Sequence, residues 1–310
     1  MQTAVIAFAI AFVLTPLFRW ISRRAGLLDV PNERSSHAIP TPRSGGKAMV
    51  IAMAIAIIAA IKVPMAIAAS VPFVTLSGLV DDLRGMREWQ KFLLQATAAI
   101  AFVVLFPVGN ALLACIAVIW LIGFTNAFNF MDGINGIASL QAIVSGITLV
   151  VLAGRSDDVV TGTIALAIAA AAAGFLIWNL TGTIFMGDTG SATIGFLLAA
   201  CAVRLGPHEF FRAVLPMLPF IFDTGLTLAM RMFRGEAWFR AHRSHLYQRL
   251  TDLGWSHLQV TALWTALAAI GGAAAIFAPE PFVPLAVLLA MHVALSSMIL
   301  TRHARHAAAR

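Results

Sequence analysis

Long apolar runs separated by short polar segments dominate the pattern of residues along the chain. A run of about 20 apolar residues can cross the hydrocarbon core of a bilayer as a helix. Eleven runs approach this length, and the second and third are the weakest because Lys62 and Pro64 interrupt one longer stretch. The pattern predicts an all-α, polytopic membrane bundle of ten or eleven transmembrane helices. The runs cover residues 2–19, 47–61, 63–80, 90–107, 110–128, 137–153, 158–178, 190–205, 213–232, 257–277 and 282–301.

The composition supports this class. The chain has 310 residues, of which 60% are hydrophobic and 11% are charged, whereas a soluble domain carries about a quarter charged residues. No polar linker or extramembrane stretch of domain size interrupts the runs, so we expect residues 1–310 to form a single transmembrane domain. Cys115 and Cys201 lie inside apolar runs, which favours core positions over a disulfide framework.

The basic residues predict an orientation. A net charge of +7 would suggest nucleic acid as a partner of a soluble protein, but basic cytoplasmic loops explain it here. The longer loops, which carry the polar motifs, and the C-terminus collect all lysines and arginines except Lys62, Arg155, Arg204 and Arg212. By the positive-inside rule, that face is cytoplasmic and the N-terminus is periplasmic in a bacterial cytoplasmic membrane. We therefore expect membrane lipids as partners, and no nucleic acid.

Most of the candidate functional aspartates lie at the ends of apolar runs, on the predicted cytoplasmic face. Asp81 and Asp82 end the third run, Asp132 follows the fifth, and Asp188 precedes the eighth. Burying a charge near lipid is costly, so acidic residues kept there usually carry function. Several on one face indicate a metal and phosphate site, with Mg²⁺ as the metal and Mn²⁺ as its substitute. A solvated helix end, a turn and a helix cap remain alternatives for the separate motifs.

The spacing within each motif suggests distinct roles. Asp81 and Asp82 are adjacent, so on a helix they point about 100° apart. One of them can face a divalent cation while the other accepts a hydrogen bond or a proton. Arg84, Arg87 and Lys91 follow at helical spacing and form a basic face, which suits either a substrate phosphate or anionic lipid headgroups.

Two further motifs suit a nucleotide or phosphate ligand. Asn129, Asp132 and Asn135 recur every three residues, and the intervening Gly133 lets the backbone approach a ligand. Asp188 precedes the eighth run, where free backbone amides at a helix start attract phosphate. Its carboxylate also offers a hard oxygen ligand for Mg²⁺.

His242 and His245 share one face if their loop is helical, and they can donate to a diphosphate or shuttle protons. A basic interfacial segment is an equal alternative, and zinc is rejected because no cysteine or third nearby histidine completes a zinc pattern. Asp223 lies within the ninth run, after Pro216 and Pro219, which free backbone carbonyls and kink the helix. A functional carboxylate and a structural partner are both open for Asp223.

Taken together, these residues resemble the polyprenyl-phosphate N-acetylhexosamine-1-phosphate transferases, which form glycosyltransferase family 4. The resemblance spans about residues 19–258 and depends on the order and spacing of short motifs. The motifs are Asp29-Val-Pro31-Asn32-Glu-Arg34-Ser-Ser-His37, Pro40-Thr-Pro42-Arg43-Ser-Gly45-Gly46, Asp81-Asp82, Lys91 with Gln95, Asn129-Phe-Met-Asp132-Gly133, Phe185 to Ser191, Phe222-Asp223-Thr224, and the His242/His245 loop.

The resemblance implies a reaction at the cytoplasmic face. A UDP-N-acetylamino sugar binds with Mg²⁺, undecaprenyl phosphate attacks the phosphorus bonded to the sugar, and UMP leaves. Asp81 is the candidate to accept the lipid phosphate's proton, although the need for a base stays open, as does a homodimer. The implied catalytic residues are Asp81, Asp82, Asp132, Lys91, His242 and His245. The implied metal ligands are Asp188 and Asp82. The implied substrate-binding residues are Asn129, Asn135, Gly45, Gly46, Arg43 and Asp223.

The histidine loop indicates which subgroup of the family the chain resembles. Its form, Ala-His242-Arg-Ser-His245-Leu-Tyr247-Gln, is similar to the subgroup that initiates O-antigen synthesis, and it departs from the triple-histidine pattern of the peptidoglycan-precursor translocase. The identity of the sugar is therefore left open.

Two other classes of membrane protein share some of these features. A secondary transporter is the main alternative, but it would place polar groups near the midplane and often shows two related halves. A prenyltransferase would need two aspartate-rich motifs, and only Asn129-x-x-Asp132 faintly resembles one.

Overall fold

The computed structural model describes residues 1–31, 39–236 and 242–308. Within these ranges the chain is helical apart from one short antiparallel ribbon, in which Leu28 pairs with Pro42 and Asp29 with Thr41. This confirms the all-α class. Residues 32–37 of the first predicted motif, Arg240 and Ala241 of the histidine loop, and Arg310 of the basic C-terminus lie outside the described residues.

The elements follow one another along the chain with short connections. In order they are α1 (Gln2–Arg24), β1 (Leu28–Asp29), β2 (Thr41–Pro42), α2 (Gly45–Ala60), α3 (Met65–Arg84), α4 (Glu88–Leu105), α5 (Ala111–Met131), α6 (Ile137–Arg155), α7 (Val159–Asn179), α8 (Asp188–Arg204), α9 (Gly206–Val214), a 3₁₀ turn (Leu215–Met217), α10 (Leu218–Phe233), α11 (Leu246–Asp252), α12 (His257–Phe277) and α13 (Phe282–Ala308).

Ten of the eleven predicted runs each coincide with one helix of this list, and the ninth, 213–232, extends across the end of α9, the 3₁₀ turn and α10. Among the described residues, eight helical stretches are long and apolar enough to cross a membrane, so the polytopic membrane class is confirmed. The count of eleven spans and the orientation of the termini stay predictions. The eight stretches are Gln2–Arg24, Met65–Arg84, Ala111–Met131, Ile137–Arg155, Val159–Asn179, Gly206–Phe233, His257–Phe277 and Phe282–His306.

The ninth predicted run, 213–232, is part of a longer and broken helical stretch. It begins at Gly206, and a 3₁₀ turn at Leu215–Met217 separates α9 from α10. Prolines in this region remove backbone donors and so leave carbonyls without helical partners. Gln141 of α6 compensates, because its Nε2 donates to the Pro216 carbonyl (2.8 Å). A buried amide thus takes the place of water, which is absent inside a bilayer.

Helix α8 lies at the centre of the bundle, and its residues from Thr189 to Val203 are all buried. A helix that is apolar or small all round can only be stable when it is surrounded on every side. Two glycines let neighbouring backbones reach its first turn. A β-carbon on Gly46 of α2 would overlap the backbone of Gly190, and one on Gly78 of α3 would overlap the Asp188 carbonyl.

Backbone pairing joins the segments that precede α2 and α8. The N–H of Phe185 donates to the Pro42 carbonyl (2.8 Å), and the N–H of Gly46 donates to the Met186 carbonyl (2.7 Å). As a result, the starts of α2 and α8 and the end of α3 meet at one end of the bundle. The motif residues that are distant in sequence converge there.

Gly78→Ala should destabilise the protein, because the added methyl overlaps the Asp188 backbone. Overpacking of this kind costs about 1–3 kcal/mol, which outweighs the gain of up to about 1 kcal/mol from replacing glycine in a helix. Thermal unfolding in detergent measures the effect as a lower Tm.

Gly225→Ala in α10 is the matched control, since its added β-carbon meets nothing within 4 Å. We expect its Tm to be unchanged or higher. Equal Tm values for the two variants would contradict the close contact between α3 and α8.

Candidate active site

The first turn of α8 is held by a carboxylate from the end of α3. One oxygen of Asp82 accepts the N–H of Asp188 (2.9 Å), and the other accepts the N–H (3.1 Å) and the hydroxyl (2.5 Å) of Thr189. A carboxylate is favoured at a helix start by the free N–H groups and by the positive end of the dipole. Gly187 precedes the helix with φ of 75°, a conformation that glycine adopts most readily.

This arrangement corrects the expectation of free amides that attract phosphate at the start of α8. The first two N–H groups donate to Asp82, and those of Gly190 and Ser191 donate to the Gly187 carbonyl (3.1 Å each). All four N–H groups of the first turn therefore have partners within the protein. Both oxygens of Asp82 are also engaged, so its role as a metal ligand stays a prediction.

Lys91 of α4 connects two carboxylates from different helices. Its Nζ lies 2.7 Å from Oδ2 of Asp81 and 2.9 Å from Oδ2 of Asp188. The other oxygen of Asp81 accepts the backbone N–H of Met86 (2.7 Å). Since Asp188 is fixed by the anchored start of α8, the two carboxylates point at one location that favours positive charge.

Asn129 and Asp132, at the end of α5, add to this end of the bundle. Nδ2 of Asn129 donates to the Ser191 hydroxyl in the first turn of α8 (2.7 Å). Asp132 is half-buried, and within the described ranges its carboxylate has no hydrogen bond or ion pair. Burial and the charges of Asp188 and Asp82 raise the pKa of Asp132 well above its usual range. A carboxylate in this environment is stabilised by an added cation.

A second cluster surrounds the histidine loop. Asp223 of α10 is buried and accepts Nδ1 of His245 (3.1 Å). The His245 ring lies beside that of His242, with ring centroids 4.9 Å apart and the planes tilted by 33°, and it is almost fully buried. Burial, followed by the neighbouring His245 and Arg231, lowers the pKa of His242 to about 4. At neutral pH His242 is therefore an uncharged hydrogen-bonding group.

Tyr247, the only tyrosine of the chain, links the two clusters and was not singled out from the sequence. Its hydroxyl donates to the Phe130 carbonyl (3.2 Å), and a β-carbon on Gly133 would overlap this hydroxyl. Burial raises the pKa of Tyr247. The signal that could have identified it is a single tyrosine within a polar loop.

The remaining predicted residues occupy the edge of the site. Arg43 donates to the Asp81 carbonyl (3.2 Å) and the Asp82 carbonyl (3.4 Å), and so caps the end of α3. Gly45 lies tightly against the ring of Phe175, as Gly46 does against α8. Asn135 is not part of the carboxylate cluster, because its side chain faces Gly182 and its carbonyl accepts the Thr261 hydroxyl.

An apolar groove of about 550 Å³ opens beside Lys91 and Asp188. It runs between α3, α4, α5, α8 and α10, and its wall includes Phe92, Ile122 and Leu228. The wall also contains polar residues, among them a pair in which Nδ2 of Asn126 donates to Oε1 of Gln95 (2.6 Å). A charged end and a long apolar body are the two features of this cavity.

The donor set fits a magnesium ion. Among the described residues there is no group of three or more His, Cys, Asp or Glu side chains that could hold a metal ion. Mg²⁺ is commonly bound by one or two carboxylates together with substrate phosphates. Asp188 and Asp81 already share the Lys91 ammonium, so they provide two oxygen donors that converge on one cation.

Comparison with known proteins defines the class. Residues 63–206 match the family described as Glycosyl transferase family 4. The chain is also 31% identical to the Mycolicibacterium smegmatis protein named decaprenyl-phosphate N-acetylglucosaminephosphotransferase, over 87% of this chain and 80% of the relative. The chain therefore belongs to glycosyl transferase family 4, as its motifs predict.

Other relatives carry related names. A Bacillus subtilis protein described as a probable undecaprenyl-phosphate N-acetylglucosaminyl 1-phosphate transferase is 29% identical, over 82% of this chain and 78% of its own length. A phospho-N-acetylmuramoyl-pentapeptide-transferase of Lactobacillus delbrueckii is 28% identical, over 87% of this chain and 97% of its own length. The names of these relatives all describe the transfer of a sugar phosphate, but they differ in the sugar.

Thr189→Val should cost more stability than Thr193→Val one turn along α8. The Thr189 hydroxyl donates to a carboxylate, and such hydrogen bonds contribute about 1.5–3 kcal/mol. The Thr193 hydroxyl bonds only neutral groups, the Thr189 carbonyl and the Thr75 hydroxyl, for which about 0.5–1.5 kcal/mol is typical. Denaturation in detergent measures both losses, and an equal or smaller loss for Thr189→Val would contradict the anchoring of α8 by Asp82.

Proposed function

We propose that this protein transfers an N-acetylamino-sugar 1-phosphate from a UDP-sugar to undecaprenyl phosphate in a bacterial cytoplasmic membrane. UMP is released, and the product starts a lipid-linked cell-envelope glycan of the O-antigen type. The observation that carries the proposal is the meeting of Asp81, Lys91 and Asp188 at the mouth of an apolar groove. A lipid phosphate needs these two environments side by side. The names of the relatives support a polyprenyl phosphate acceptor and an N-acetylated sugar.

The charged end of the cavity suits the diphosphate of the donor. Asp188, with Asp81 beside it, would hold Mg²⁺. When bound, Mg²⁺ neutralises charge on the diphosphate and orients it. Lys91 lies between the same carboxylates, so its ammonium can bind an oxygen of either phosphate. Because the amides of α8 are all engaged within the protein, Lys91 is the residue on which phosphate binding depends.

The groove places the acceptor. A polyprenyl tail packs along Phe92, Ile122 and Leu228, which leaves its phosphate at the charged end. An oxygen of this phosphate attacks the phosphorus bonded to the sugar, a new P–O bond forms, and the P–O bond to UMP breaks. Asp81 can accept a proton from the lipid phosphate. Since the second pKa of a phosphate monoester is about 6, most of the acceptor is already dianionic at neutral pH.

The donor side combines residues from three elements. Asn129 bonds Ser191 in the first turn of α8, Gly46 contacts Gly190 in the same turn, and Asp132 follows α5. We assign these residues to the nucleotide sugar on the strength of the family motifs. His242, which is more exposed than His245 and neutral, can donate a hydrogen bond to the donor from the neighbouring loop.

UMP release from a UDP-N-acetylamino sugar should require both undecaprenyl phosphate and Mg²⁺. A panel of such donors, tested with the purified protein in detergent and with native membranes, identifies the sugar by the rate of UMP release. We expect one donor to be strongly preferred and chelation by EDTA to stop the reaction, with recovery on addition of Mg²⁺. Absence of turnover with every donor in both preparations would refute the transferase.

Asp188→Asn should lower turnover by at least roughly a hundredfold, the scale expected when one key electrostatic group is lost from an active site. The change keeps the size of the side chain and removes its charge. Mn²⁺ binding followed by electron paramagnetic resonance should weaken in parallel, while the Tm shows that the protein remains folded.

Asp157→Asn is the matched control for this variant. Asp157 lies between α6 and α7, at the other end of these helices, with φ of 51°, a conformation that asparagine tolerates well. Its turnover and Mn²⁺ binding should equal those of the wild type. Normal Mn²⁺ binding by Asp188→Asn would remove Asp188 from the metal site.

A further inference from the structure

Asp223 receives hydrogen bonds from one whole turn of the histidine loop. Its Oδ1 accepts Nδ1 of His245 (3.1 Å) and the N–H of Leu246 (2.9 Å), and its Oδ2 accepts the N–H of Tyr247 (3.0 Å). Thr227, one turn along α10, donates a fourth bond to Oδ1 (3.3 Å). Asp223 is only 1% exposed. A buried carboxylate with this many donors has no need of a ligand for its own stability.

The arrangement repeats the one at α8. Asp82 and Asp223 each accept the N–H groups of two consecutive residues at a helix start, together with one side-chain donor from the same segment. In both cases a transmembrane helix holds the first turn of a helix that carries motif residues. The short helix α11 depends on such a contact, because seven residues are too few to form a stable helix in isolation.

The contacts that begin at Asp223 continue through Tyr247 to the end of α5. Tyr247, whose N–H it accepts, reaches the Phe130 carbonyl through its hydroxyl and packs against Gly133. These two residues flank Asp132, the carboxylate without a partner in the described part of the chain. The His245 ring also lies near the Phe130 ring, with centroids 6.1 Å apart.

We propose that Asp223 is a positioning residue of the transfer reaction, which orders His245 and, through Tyr247, the Phe130–Gly133 turn. This inference rests on the proposed function, and it differs from the substrate-binding role that the motifs imply for Asp223. By accepting the proton on Nδ1 of His245, the carboxylate also sets the tautomer and leaves Nε2 on the opposite side of the ring. Asp223, the carboxylate within the ninth run that a transporter could use as an ion site, is thereby assigned to the architecture of the transferase site.

The test is a double-mutant cycle with Asp223→Asn and His245→Gln. Each single change should lower kcat per folded enzyme roughly tenfold to a hundredfold, the range for partners that orient active-site groups. KM for the UDP-sugar should change little, because the substrate contacts themselves remain. Since both changes break the same contact, the double variant should lose no more than Asp223→Asn alone.

Asp158→Asn is the control, because Asp158 also accepts a helix-start N–H and a hydroxyl, both from Thr161, at the opposite end of the bundle. It should lower the Tm and leave kcat unchanged. A wild-type kcat for Asp223→Asn, or a double variant whose loss equals the product of the two single losses, would overturn the proposal. If Asp223→Asn does not fold, His245→Gln alone decides the test, because this variant keeps both backbone hydrogen bonds to Asp223. An unchanged kcat for His245→Gln would then overturn the proposal.

Hydrogen exchange gives a readout that does not depend on the reaction. Asp223→Asn should speed exchange at residues 246–247 and, beyond them, at residues 129–135, whereas Asp158→Asn should affect only the start of α7 and the end of α8, where Arg204 pairs with Asp158. If the wild type releases no UMP, only the proposed function is refuted. The hydrogen-exchange result still tests whether Asp223 orders residues 129–135. Unchanged exchange at residues 129–135 would refute it.

Discussion

The contact between the Asp82 carboxylate and the first turn of α8 determines the rest of the site. Three donors from two residues of α8 converge on this one side chain. Hydrogen bonds to a charged group contribute about 1.5–3 kcal/mol each, and an unpaired buried charge would be far more costly. Because Asp188 is the first residue of α8, the same contact that satisfies Asp82 fixes where the Asp188 carboxylate points. The ion pair with Lys91 follows from that position.

Close backbone approach makes this contact possible. Asp82 reaches the start of α8 because Gly78, one turn earlier on α3, lets the two backbones touch. Gly46 does the same from α2. In a bilayer, where lipid tails remove most of the hydrophobic drive between helices, small residues and buried hydrogen bonds supply the association. The active-site end of the bundle is therefore held by the same interactions that assemble the helices, and site and fold cannot be separated energetically.

Much of the fold could be predicted from the sequence, because the features that define a transmembrane helix are local. Apolar runs and their lengths depend on neighbouring residues only, so ten of the eleven predicted runs each coincide with one helix and the ninth with a broken helical stretch. Alternation of loops between two membrane faces also predicted that Asp81, Asp82, Asp132, Asp188 and the histidine loop could converge. The hydrogen-bond partners could not be predicted, because Asp82 to Thr189 and Asp223 to Tyr247 are contacts between distant segments. Nothing in the Asp81-Asp82 pair says which carboxylate faces inward and caps a helix. Helix α11 was missed because it has only seven residues, and its first turn is held by Asp223 of a distant helix as well as by Gln248 of its own sequence.

The charges at the site also bear on the proposed function, in which a divalent cation and a diphosphate bind together. Asp81 and Asp188 share a single ammonium, and burial together with the charges of Asp188 and Asp82 raises the pKa of Asp132. A diphosphate alone would add to that repulsion, and Lys91 alone cannot offset it. A cation alone would be attracted, but two carboxylates do not complete the six oxygen ligands of Mg²⁺. Under the proposed function, only the two ligands together satisfy both the charge and the coordination, so each should bind more tightly in the presence of the other. The exposed surface of the groove is mostly apolar, which suits a hydrocarbon tail rather than a second charged ligand.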